Sequence, residues 1–174
     1  MTGKTFMNAV ANGETDILQT VLNVLEEAGS DYCVIGGLAV NAYAEPVVSL
    51  DLDVVVASRS IDNVCEAARG KGLKVERFEH SVNLTSPKSD LRVQFHTNAR
   101  YQAFISRSAE REVLGYKMKV AAIEDVLQGK VWAYLDTQRR KSKRQKDLAD
   151  IMRLVEACPQ LENLLPGGVR DTMR

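Results

Sequence analysis

The sequence predicts an α+β fold built on a mixed β-sheet flanked by helices. Short strand-like runs cluster in the middle of the chain and outnumber the helical segments there. They do not alternate regularly with helices, as a doubly wound parallel sheet would require. Two amphipathic helical segments then follow the last strand-like run. A chain of 174 residues suits one domain. We expect that domain over residues 1–158, with a fraying tail over 159–174 that contains Pro166, Gly167 and Gly168.

Each element follows from its own pattern. In ETDILQTVLNVLEEAG, Ile17, Leu18, Val21, Leu22 and Leu25 recur at helical spacing. Thr15 or Asp16 can cap that helix, and Gly29 can end it. Tyr32–Ile35 is a short buried strand, Gly36-Gly37 a turn, and LAVNAYA a short helix closed by Pro46. LDLDVVVA is the second strand, and SIDNVCEAARGKG a helix capped by Ser60. LKVERF, SVNLT and DLRVQFHT are three more strands. The last alternates, with Leu91, Val93 and Phe95 on one face and Asp90, Arg92, Gln94 and His96 on the other. ARYQAFISRSA reads as a helix, and REVLGYKMKVA as a hairpin turning near Gly115. Helices over Ile123–Leu135 and about Arg139–Ala157 complete the domain.

Composition excludes several function classes. Lys plus Arg and Asp plus Glu balance at 23 each, so no global field draws the chain to nucleic acid or lipid. No apolar run has the length of a membrane span, and MTGKTFMNAVANGETD has no apolar core of a secretory signal. Cys33, Cys65 and Cys158 have neither metal-ligand spacing nor an even count; Cys33 and Cys65 lie in apolar patterns and read as buried thiols, and a reducing cytoplasm is the expected compartment. TGKT at Thr2–Thr5 lacks the upstream strand and glycine of a phosphate loop. His80 and His96 have no helical histidine partner for zinc, and His96 reads as a strand-end histidine.

The stretch that carries chemistry is SLDLDVVV, Ser49 to Val56. Strand geometry puts Asp51 and Asp53 on one face, where their like charges repel unless a cation stands between them. Mg²⁺ (or Mn²⁺) resolves this, because it takes oxygen ligands and is usually held by one or two carboxylates plus substrate phosphates. The plainer alternative is an edge strand with both aspartates in water or paired with arginines. The upstream context, VIGGLAVNAY, favours the metal. Glycines at a turn let the backbone approach a ligand closely, and amides beyond them can receive a phosphate.

Gly36-Gly37, a short helix, Ser49 and then Asp51-x-Asp53 at the head of a strand resemble the signature of the DNA polymerase β-like nucleotidyltransferase superfamily. More narrowly, the chain looks like the bacterial abortive-infection-type nucleotidyltransferases, some of which are toxins of toxin–antitoxin pairs. The resemblance runs from about Tyr32 to Val155. It includes AAIEDVLQGKVWAYLD and RRKSKRQKDLADIMRLVE, which look like that family's closing helices. It implies a nucleotidyltransferase-like core over about 32–96 and a cleft closed by helices within about 123–157. It also implies transfer of a nucleoside monophosphate from an NTP to an acceptor hydroxyl. The acceptor would be RNA, protein or a small molecule such as an aminoglycoside, and a cognate antitoxin is a possible partner.

That chemistry usually takes a third carboxylate on the neighbouring strand. The position aligned with it is Gln94, which can ligate through oxygen but brings no charge and is no base at neutral pH. Asp90 lies four residues away, roughly 13 Å along a strand. The functional expectations are therefore catalysis, a nucleotide-binding module that has lost it, or a plain interaction domain in which the aspartate pair is merely solvated. Asp51 and Asp53 would hold the metal, and Gly36, Gly37 and Ser49 would receive the triphosphate. Lys130 falls inside the apolar stripe of its helix and matches a family lysine that contacts the triphosphate. Asp125 faces the other way and reads as structural. RRKSKRQK, 139–146, has six basic residues in eight. Arg144 lies on the stripe continued by Leu148, Ile151, Met152 and Val155 and would reach the phosphates, with Arg140 one turn earlier. Asp147 would orient Lys130 or an arginine, while Lys143–Asp147 and Lys146–Asp150 read as ordinary i,i+4 pairs.

Overall fold

The computed structural model describes residues 2–174. In chain order the elements are α1 (Gly3–Val10), α2 (Ile17–Glu27), β1 (Tyr32–Ile35), α3 (Gly36–Val40) and β2 (Asp51–Val56). Next come α4 (Ile61–Gly70), β3 (Lys74–Arg77), β4 (Ser81–Ser86), β5 (Ser89–His96) and α5 (Ala99–Ser106). The chain continues through β6 (Ala109–Val113), β7 (Tyr116–Val120), α6 (Ile123–Leu135), α7 (Lys141–Ala157) and α8 (Gly167–Thr172). The seven strands form one sheet in the order β3-β4-β5-β2-β1-β7-β6. β2 runs parallel to β5 and antiparallel to β1, and β1 runs parallel to β7, so the sheet is mixed, as expected.

β2 is flanked by β5 on one side and β1 on the other. An edge strand would have let two aspartates face water at little cost, but this strand is interior. Its Leu52, Val54, Val55 and Val56 are fully buried, while Asp51 and Asp53 are half-exposed at its N-terminal end. The alternation predicted for β5 also holds, with Leu91, Val93 and Phe95 buried.

Residues 3–10, for which no element was expected, form α1, capped by the Thr2 side chain on the Thr5 amide. Two expectations need correction. Gly36 and Gly37 do not form a turn before a helix; they are its first two residues, and Ile35 occupies the cap position. The C-terminal segment does not fray. Pro159–Leu164 is a 3₁₀ turn and α8 follows it, with Leu161, Leu165 and Val169 buried in the common core. Those three apolar residues offset the two glycines, each of which disfavours helix by about 1 kcal/mol.

Candidate active site

The site is built on the adjoining ends of β1 and β2, the parallel neighbour β5, and the two helices α6 and α7 that cross above them. Ile35 lies opposite Asp53 across β1–β2, so the chain leaves β1 directly over that carboxylate. Gly36 then takes a left-handed backbone conformation, φ +73°. A Cβ there would stand 2.7 Å from Asp53 Oδ2, closer than real contacts allow. At Gly37 a Cβ would stand 3.3 Å from Ser49 Oγ. Ser49 in turn accepts from the Asp51 amide at 3.3 Å and holds the entry to β2. The two glycines therefore bring bare backbone against the carboxylate pair.

Across β2–β5, Asp51 is in register with Arg92, Asp53 with Gln94 and Val55 with His96. This confirms that Gln94 is the residue beside Asp53, and it removes Asp90, whose amide bonds to Ala11 at the other end of the strand. Arg92 Nε donates to Asp51 Oδ1 at 2.7 Å, and Lys143 Nζ from α7 donates to Asp51 Oδ2 at 3.0 Å. Partial burial pushes the Asp51 carboxyl up, but these two cations outweigh it and hold its pKa below the ordinary carboxylate value. His96 Nε2 lies 3.0 Å from Asp53 Oδ1, and its ring packs edge-on against Tyr101. His96, read as a plain strand-end residue, thus belongs to the site. The signal was its two-residue spacing from Gln94, which puts both on one face.

Above the pair lies a buried charge network. Lys130 Nζ donates to Asp147 Oδ1 at 3.1 Å and pairs with Asp150 Oδ2 at 2.8 Å. Arg139 Nε donates to Asp147 Oδ2 at 2.6 Å, and Arg153 Nη1 donates to Asp150 Oδ1 at 2.7 Å. Burial lowers the Lys130 pKa, but Asp150 and Asp147 more than compensate and hold it above the usual lysine value. Asp147 orients both Lys130 and an arginine, as expected, although the arginine is Arg139. Arg153 also donates to Asn41 Oδ1 and to the Glu45 carbonyl, and the Asn41 side chain clamps both backbone groups of Val47. The loop between α3 and β2 is thereby strapped to α7.

Helix α7 is rotated relative to the sequence reading. Its buried residues are Asp147, Asp150, Ile151 and Leu154, while Met152 is exposed. Instead of a continuous apolar stripe, the inner face carries two aspartates, because Lys130, Arg139 and Arg153 meet them. Arg144 consequently does not reach the carboxylate pair; its Nε donates to the Tyr134 carbonyl at 2.7 Å, near the end of α6. Lys143 takes the place expected for Arg144. The predicted Lys143–Asp147 and Lys146–Asp150 pairs do not form: Lys143 binds Asp51, and both aspartates are engaged by other cations. Asp125 is structural, as expected, in a two-point pair with Arg107.

Two recesses meet at Asp53, Lys130, Arg139 and Asp147. The first, of about 50 Å³, is lined by Gly37, Ser49, Asp51 and the lysines Lys143 and Lys146. The second, of about 120 Å³, is lined by Gly36, Gln94, His96, Tyr101 and Gly129. A larger groove of about 740 Å³ lies between α2 and the β6–β7 hairpin, remote from these groups. As a metal site the donor set is partial. Asp51 and Asp53 offer adjacent carboxylates that suit one oxygen-seeking ion completed by phosphates. No group of three or more His, Cys, Asp or Glu side chains able to hold a metal occurs among the described residues.

The fold is that of solved nucleotidyltransferases. The crystal structure of ANT(2'')-Ia in complex with adenylyl-2''-tobramycin aligns with a TM-score of 0.65, covering 91% of this chain and 97% of that one at 12% identity. The lincosamide antibiotic adenylyltransferase LnuA, lincomycin-bound, aligns with a TM-score of 0.58, covering 82% and 99% at 14% identity. An antigenic nucleotidyltransferase-like protein from Paracoccidioides brasiliensis gives 0.50, covering 83% and 78% at 21% identity. No protein-family model matches the sequence, and no curated protein is similar to it in sequence. No helix of the described residues is long and apolar enough to cross a membrane.

Proposed function

We propose that the chain is a nucleotidyltransferase that moves a nucleoside monophosphate from an NTP to an acceptor hydroxyl, releasing pyrophosphate. One observation carries this reading: Asp51 and Asp53 stand side by side at the mouth of an interior strand, with bare Gly36–Gly37 backbone against them and a lysine-bearing recess beside them. An interior strand excludes carboxylates unless something offsets their burial. Asp51 and Asp53 would hold a divalent cation, which supplies charge neutralisation for the phosphates. Lys143 and Lys146 line the recess where a triphosphate would lie, next to Gly37 and Ser49. Lys130 has two carboxylate partners and one remaining N–H for a phosphate oxygen. Catalysis on this basis is positioning and electrostatics.

The acceptor lies on the β5 side, facing Gln94 and His96. The aminoglycoside and lincosamide adenylyltransferases that share the fold make small-molecule hydroxyls one acceptor class. The narrower toxin-like reading uses RNA or protein as acceptor and has an antitoxin partner. A second reading, a nucleotide-binding module without turnover, is favoured by Gln94 alone.

The test is incubation with α-labelled NTPs and Mg²⁺ or Mn²⁺, offered RNA, protein, aminoglycosides and lincosamides in separate reactions. We expect label transfer to one class and its loss in Asp51→Asn, with wild-type unfolding stability kept to within about 1 kcal/mol because Arg92 and Lys143 can reach water. NTP binding without transfer in every reaction would favour the second reading. No binding, with Asp51→Asn behaving like wild type, would end both.

A further inference from the structure

We propose that this site works with a single divalent cation, the one that travels with the nucleotide's phosphates, and that the Arg92 guanidinium takes the place of a second. This rests on the nucleotidyl-transfer reading of the same site. Two-ion centres place their ions roughly 4 Å apart, one on the attacking and one on the leaving oxygen. In the family that the sequence resembles, the ion on the attacking side takes a further carboxylate from the neighbouring strand. Here the register sets neutral Gln94 beside Asp53 and cationic Arg92 beside Asp51. The β5 side therefore presents a net charge of +1 where a two-ion site presents −1. A second dication there would meet one positive charge and no additional negative one.

The two cations on Asp51 are not equivalent. Lys143 reaches Oδ2 from α7, across the cleft, and lines the recess with Gly37 and Ser49. It can leave Oδ2 when a phosphate-borne ion arrives, because a lysine is a flexible point charge. Arg92 reaches Oδ1 from the strand hydrogen-bonded to β2, so sheet pairing holds its backbone in place. A guanidinium is always charged and offers five donors in a planar fork. One of the five is spent on Asp51, and no other hydrogen bond from this side chain occurs among the described residues. Its terminal amino groups have no protein partner among the described residues, and its side chain is 62% exposed beside the cleft, so they are free to turn to oxygens that gain charge in the transfer.

The step balances without a second ion. The acceptor oxygen bonds to the α-phosphorus, the bond from that phosphorus to the β-phosphate oxygen breaks, and pyrophosphate leaves with the bonding pair. The hydroxyl proton ends in bulk water, and Gln94, which has no basic group, takes no part in moving it.

Counting bound Mn²⁺ by electron paramagnetic resonance, with saturating non-hydrolysable NTP, tests the inference independently of turnover. We expect one ion per wild-type chain, two in Gln94→Asp combined with Arg92→Gln, and one in Arg92→Gln alone. Arg92→Gln should also lower kcat about a hundredfold, as loss of one charge-stabilising donor does, with little change in KM. Two ions in the wild type would overturn the inference while leaving nucleotidyl transfer intact, and so would an unchanged kcat in Arg92→Gln. Absence of both Mn²⁺ and nucleotide would overturn the underlying reading with it. The wild-type count decides the matter even where a variant does not fold.

Discussion

Gly36→Ala separates backbone strain from disruption of the site, because the chain carries its own control. Gly36 and Gly29 both have positive φ, +73° and +61°. A Cβ at Gly29 meets nothing within 4 Å, whereas a Cβ at Gly36 stands 2.7 Å from Asp53 Oδ2 and 3.2 Å from Asp53 Cβ. Left-handed backbone costs a non-glycine residue about 1–2 kcal/mol. Alanine recovers about 0.4–1 kcal/mol by restricting the unfolded chain. Gly29→Ala should therefore destabilise by about 0–1.6 kcal/mol. Gly36→Ala pays the same strain plus the displacement of Asp53 from a packed position, about 1–3 kcal/mol more. Urea unfolding without metal reads that difference. Mn²⁺–nucleotide titration reads its consequence: Gly29→Ala binds as wild type, and Gly36→Ala loses about ten- to hundredfold, the scale of one charge-assisted hydrogen bond. Equal stability and equal affinity in the two variants would refute the claim that bare backbone at position 36 sets the Asp53 carboxylate.

The buried network supplies the next prediction. Asp147→Asn leaves Lys130 and Arg139 without the charge they share and should cost about 3–5 kcal/mol in chemical denaturation. Lys130→Met should cost less, since Asp147 keeps Arg139 and Asp150 keeps Arg153. The Lys130 pKa is raised on folding, so its contribution is fully present below the ordinary lysine value, about 10.4, and is lost as pH rises through the higher folded value. Wild-type stability should therefore fall in that alkaline window more steeply than that of Lys130→Met. In NTP titrations, Lys143→Ala should weaken binding while Arg144→Ala does not; Arg144→Ala should instead lose about 1 kcal/mol of stability with its bond to the Tyr134 carbonyl.

What could be read from sequence followed from local period and spacing. The β-branched run around Asp51 and Asp53, the alternation from Asp90 to His96 and the helix at Ile123–Leu135 all appear where their patterns put them. The opposition of Asp53 and Gln94 also appears, although it was implied by the family resemblance and not by local period. The failures share one cause. An apolar stripe predicts the wrong rotation for α7 because its buried face is partly ionic, and only the tertiary partners Lys130, Arg139 and Arg153 make aspartates tolerable there. The same stripe points Arg144 and not Lys143 into the cleft. Spacing alone does not reveal the role of His96, because its partner, Asp53, lies 43 positions away in the chain. Helix α8 leaves no local signal, because its sequence disfavours helix and its burial is non-local.

Asp51 meets its lysine 92 positions later. A ribosome makes the acidic half of that contact long before the basic half. Until the last long helix emerges and docks, the growing polypeptide has the strand but no roof over it, and its two aspartates have only Arg92 and His96 of the neighbouring strand. Any enzymatic capacity it has thus waits until α7 has been made.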